Sequence, residues 1–84
     1  MIKKLLDELD KAWNDTEDPR WKGENPRCLQ INEILIPLFK KMDDDELLKI
    51  LNDFPESKLE QILLALEYVV DTKECVRPFI IRAK

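Results

Sequence analysis

The sequence predicts an all-α fold: a compact antiparallel bundle of four to five short helices, forming one domain over residues 1–84. Three observations carry that expectation. Apolar residues recur with a period near 3.6 along most of the chain, and no stretch alternates apolar and polar with the period of a strand. Gly23 is the single glycine, so little of the chain is built for tight turns. Three times a Ser or Asp stands three residues ahead of a Glu at the head of an apolar run, which is the spacing of a capping box.

The elements follow in order. Ile2, Leu5, Leu6, Leu9, Ala12 and Trp13 form one continuous stripe, predicting a first helix from about Ile2 to Asn14 with Trp13 in the core. Asp15 to Glu24, with Pro19, Trp21 and Gly23, reads as a loop. Asn25 before Pro26 then has the form of an N-cap with proline at the first helical position. The second helix extends to about Met42 and buries Leu29, Ile31, Ile34, Leu35, Leu38, Phe39 and Met42. Pro37 inside it removes one backbone bond, predicting a kink and not a break, because the apolar period continues past it.

Asp43 with Glu46 opens a third helix carrying Leu47, Leu48, Ile50, Leu51 and Phe54, and Pro55 ends it. Ser57 with Glu60 opens a fourth. Its stripe of Leu59, Ile62, Leu63, Leu66, Val69 and Val70 is widened by Leu64, Ala65 and Tyr68, as befits the central helix of a bundle. Tyr68 falls at the stripe's edge, where its hydroxyl reaches a rim. Asp71 with Glu74 opens the last helix, with Val76, Phe79, Ile80 and Ala83 on its inner face and Pro78 near its start.

Composition excludes several classes of function. Eighteen acidic residues against fourteen basic ones give a net charge of −4, and no basic stripe or Arg/Asn/Gln-rich recognition helix marks a nucleic-acid binder. There is no histidine, so neither Cys28 nor Cys75 has an imidazole to activate it, and no carboxylate pair is singled out for acid–base work. Enzymatic activity and cofactors are not expected. The Asp43–Glu46 run does not read as a metal site: neighbouring residues on a helix point about 100° apart, and acidic residues at a helix N-terminus are favoured by its partial positive charge. Two cysteines far apart read as small buried apolar groups in a reducing compartment. Met1 to Asp10 is too charged for a signal peptide, and the run Ile62–Leu66 is too short to span a bilayer. The expectation is a cytoplasmic protein without membrane contact.

Charge is unevenly distributed. Residues 43–60 hold seven acidic and two basic side chains. Such a block is either a solvated helical face or a steering surface for a basic partner; in the second case Asp43, Asp44, Asp45, Asp53 and Glu56 are the contact residues. In the long loop, Trp21 stands between Arg20 and Lys22. It either folds back over the core or, with Arg20, anchors an interface, the two residue types commonest at binding hot spots.

The run Glu46–Val70, ELLKILNDFPESKLEQILLALEYVV, resembles the helical hairpins of small bacterial immunity proteins, the inhibitors encoded beside contact-dependent or polymorphic toxins. The resemblance spans roughly residues 43–83 and lies in short acidic helices, a Pro-terminated hairpin and a Leu/Ile-rich central helix. It implies tight binding of a cognate toxin, with the acidic face on a basic toxin domain. The alternative is a subunit of a homo-oligomer or a structural adaptor, its apolar surplus buried against its own copy.

Overall fold

The computed structural model describes residues 2–16 and 25–84. Its helices are α1 (Ile2–Asp15), α2 (Pro26–Lys41), α3 (Asp44–Asp53), α4 (Leu63–Val69) and α5 (Arg77–Ala83); a 3-10 helix, Glu56–Ile62, leads into α4, and another, Glu74–Val76, leads into α5. Among the described residues there is no strand, and no helix is long and apolar enough to cross a membrane. The fold is all-α.

The amphipathic stripes account for the packing. α2 lies against both α1 and α4, and α5 closes over the 3-10 helix and α4. One contiguous core results, with Leu9, Ile31, Leu35, Phe39, Leu47, Leu66, Val69 and Val76 removed from solvent and Trp13, Ala12, Phe54 and Met42 packed at its margin. α1 and α2 run antiparallel: Asn25 at the start of α2 reaches back to Thr16 and Ala12, and Arg27 reaches Glu8, whose carboxylate accepts its Nη2 at 3.0 Å.

Asn25 caps α2 as the sequence predicts. Its Oδ1 accepts from the backbone amides of Arg27 (2.8 Å) and Cys28 (3.4 Å), and Pro26 holds the first turn. Its Nδ2 donates to Thr16 Oγ1 at 2.6 Å, tying this cap to the end of α1. Pro37 is accommodated within a continuous α2.

The other three caps differ from expectation. Asp43 precedes α3 but makes no side-chain cap bond, and its role is carried by its carbonyl, which accepts from Leu47 N at 3.0 Å. Ser57 is no cap, because the chain after Pro55 winds as a 3-10 helix from Glu56 and reaches α-helical geometry only at Leu63. Asp71 is displaced as well: the last helical segment starts after Lys73, and the Glu74 carboxylate, instead of reaching back to a cap, accepts from Arg77 Nε and Nη2 at 3.1 and 3.2 Å. Ile34, placed in the core by its spacing, is 45% exposed, since α4 and α1 cover only part of the circumference of α2.

These differences are measurable. Asn25→Ala is expected to cost about 0.5–2 kcal/mol by leaving helix-end amides unpaired. Ser57→Ala, at an exposed position without a cap bond, should stay within about 0.5 kcal/mol. Urea denaturation of both variants checks the contrast; equal losses would place the helix start at Ser57 after all.

Candidate functional site

α1 and the end of α3 do not close on one another, and a groove of about 570 Å³ lies between them. Its apolar floor is Leu6 from α1 and Ile50, Phe54 and Pro55 from the α3 terminus; Lys3, Asp7, Asp10, Asp53 and Lys58 supply the charged wall. The floor follows from the local sequence. Leu6 and Ile50 continue the stripes of their helices outward beyond the buried Leu9 and Leu51, and Pro55, by ending α3, leaves Phe54 half-buried at the corner.

One wall is built around Asp10. Its Oδ1 accepts from Gln61 Nε2 at 2.9 Å and its Oδ2 lies 3.2 Å from Lys58 Nζ. The Gln61 amide holds the Asp10 carboxyl below the usual carboxylate range, with Lys58 adding to the effect and partial burial opposing it. Gln61 itself is buried, and among the described residues its Oε1 finds no hydrogen-bond partner.

Asp43, Asp44, Asp45, Asp53 and Glu56 are all exposed, but they do not form one cluster. Asp43–Asp45 stand at the start of α3 and Asp53 at its end, about 13 Å away along a helix rising 1.5 Å per residue. Asp53 joins the groove wall. Asp44 is tied to Lys73 Nζ at 3.0 Å, clamping the start of α3 to the turn before the last helix. Arg20 and Trp21 lie outside the described residues. No family model, curated protein or solved structure matches the chain.

The thiols are poor nucleophiles. Burial pushes the Cys28 thiol up, and burial together with the nearby Asp44 carboxylate does the same for Cys75, so both stay protonated near neutral pH. Among the described residues no three Cys, Asp or Glu side chains gather to hold a metal ion. The groove offers an apolar floor for an inserted side chain and carboxylates for a cation beside it.

Two residues of this region escaped the sequence reading. Asn32 sits on the inner face of α2, in register with Cys28, Ile31 and Leu35, and is 3% exposed; Gln61, 5% exposed, interrupts the apolar stripe before α4. Their signal was available as polar side chains falling on an otherwise apolar helical face, a pattern that demands a partner in the core.

Proposed function

We propose that this protein is a non-catalytic binding module that inhibits a basic protein partner by occlusion, as an immunity protein inhibits its toxin. One observation carries the reading: the apolar groove opens at the end of the acidic α3 segment, and Asp53 belongs to both. A partner with an apolar side chain flanked by Lys or Arg finds an anchor pocket in the groove and steering charge along residues 43–56, where six acidic side chains face one lysine. Exposed carboxylates at such a rim act chiefly on encounter, while the groove floor governs residence.

The test is charge reversal. The partner is captured from the native cell, identified by mass spectrometry and purified, and its binding is followed by surface plasmon resonance at two salt concentrations. Asp53→Lys with Glu56→Lys should slow association at low salt, flatten the salt dependence and leave folding stability within about 0.5 kcal/mol. Co-expression with the native protein should relieve the partner's toxicity. An unchanged association rate would remove the acidic face from the interface, and a harmless partner would remove the immunity assignment.

The homo-oligomer reading draws on exposed apolar side chains, Tyr68 on α4, Ile81 on α5, and Ile34 beside Pro37 and Leu38 on the outer face of α2. An antiparallel pairing of two such faces about Ile34 sets Arg27 opposite Lys41 at each end, and this like-charge contact opposes the pairing.

A further inference from the structure

We propose that Asn32 is the positioning residue of the groove: its carboxamide is inserted between Gln61 and Ala65, holds residues 56–62 in 3-10 form, and thereby aims Lys58 and Gln61 together at Asp10. The inference rests on the reading of this groove as the binding site.

In an uninterrupted α-helix the Ala65 amide would donate to the Gln61 carbonyl four residues earlier. Both ends of that bond are taken by Asn32 instead. Ala65 N donates to Asn32 Oδ1 at 3.2 Å, and Asn32 Nδ2 donates to the Gln61 carbonyl at 3.0 Å. The second Nδ2 proton goes to the Cys28 carbonyl at 2.9 Å, one turn back on its own helix, which fixes the rotamer and leaves neither donor idle. A side chain inserted in the helical ladder is one of the few causes of an abrupt change in helix geometry. The 3-10 to α junction falls here, with α4 beginning at Leu63.

The 3-10 segment is seven residues long, well beyond the three or four usual for this geometry. Its sequence does not ask for it. Leu59, Ile62, Leu63 and Leu66 keep an α-helical period straight through the junction, so the local preference is opposed by a tertiary contact. Residues three apart eclipse on a 3-10 helix but diverge by about 60° on an α-helix. Lys58 and Gln61 are such a pair, and both grip Asp10, one on each carboxylate oxygen. A 3-10 helix of this length is also about 3.5 Å longer than the α-helix of the same residues, which sets how far Pro55 stands from the core. Asn32, buried on another helix, therefore fixes both the wall of the groove and the distance of its floor.

The test is NMR of the full chain. In Asn32→Leu the Gln61 carbonyl and the Ala65 amide are released to each other. Residues 57–62 should then lose Hα–HN contacts between i and i+2, gain those between i and i+4, and lose protection of the Gln61 carboxamide protons as the Asp10 grip opens. Retention of the 3-10 pattern in a folded Asn32→Leu would overturn the proposal. Should that variant not fold, the native protein decides: a scalar coupling between Ala65 N and the Asn32 carboxamide carbon, with slow exchange of both Asn32 carboxamide protons, is expected, and its absence overturns the insertion. Neither readout needs a partner. With the purified partner, Asn32→Leu should dissociate at least about tenfold faster; a helix that switches by NMR while dissociation is unchanged would overturn the groove as the binding site and leave Asn32's hold on the 3-10 segment standing.

Discussion

Phe39→Ala is expected to remove about 3–5 kcal/mol of folding stability, the usual cost of truncating a fully buried phenylalanine. Phe39 is completely inaccessible, in the second half of α2, among the largest buried side chains of the core. A domain of 84 residues has about 4–13 kcal/mol in total, so the variant would lie near the edge of folding. At about 4–8 °C per kcal/mol for a chain of this size, its melting temperature should drop by roughly 12–40 °C. Ile34→Ala, five residues earlier on the same helix but on the outer face, should change stability by less than about 1 kcal/mol. Differential scanning calorimetry of the two variants separates the faces of α2. Similar losses for both would mean that α2 is rotated about its axis relative to this packing.

That pair also shows how far the fold was legible. Among the described residues periodicity located each α-helix because each buries a stripe, and the α2 cap was legible because Asn25–Pro26 satisfies its requirement within two residues. Periodicity could not say how wide the buried stripe of α2 would be. Ile34 and Phe39 fit the same pattern, and only the number of neighbours around the helix distinguishes them. The capping box at Ser57 failed for a related reason. Ser57 and Glu60 have the right spacing for an α-helical start, but the geometry of residues 56–62 is determined by Asn32, a residue twenty-five positions upstream of Ser57 and on a different helix. Local chemistry cannot report such a contact.

The candidate site was less legible than the fold. Acidity along residues 43–56 was plain, and Asp53 does lie on the groove. The groove itself comes from the separation of α1 and the α3 terminus, and Leu6, Ile50 and Phe54 look in sequence like any other stripe residues. Asp44 shows the opposite limit: it reads as one carboxylate of a surface run, yet it pairs with Lys73, whose side chain is only 15% exposed.

Gln61→Glu should reverse the pH dependence of stability contributed by the groove wall. In the native protein the Asp10 carboxyl is held low, first by the Gln61 amide and then by Lys58. A carboxylate depressed in the folded state adds stability above its unfolded value, near pH 4, and loses it as the pH falls through the folded value. The introduced carboxyl is affected in the opposite direction. It is buried, 2.9 Å from where Asp10 Oδ1 now accepts an amide proton, and the Lys58 ammonium cannot neutralise two carboxylates at once. Its folded value rises, so its cost is absent below about pH 4 and grows as the pH climbs through that raised value. Each unit of that rise removes about 1.4 kcal/mol of stability at neutral pH. In acid the protonated carboxyl can donate to Asp10 much as the amide does, and stability returns. Urea denaturation at pH 4.5 and 7.5 should therefore give a native protein at least as stable at the higher pH and a variant markedly weaker there. Gln61→Met, which removes the hydrogen bond without adding charge, should not invert the slope. If Gln61→Glu tracks the native curve, the side chain does not face Asp10, and the wall of the groove is built differently.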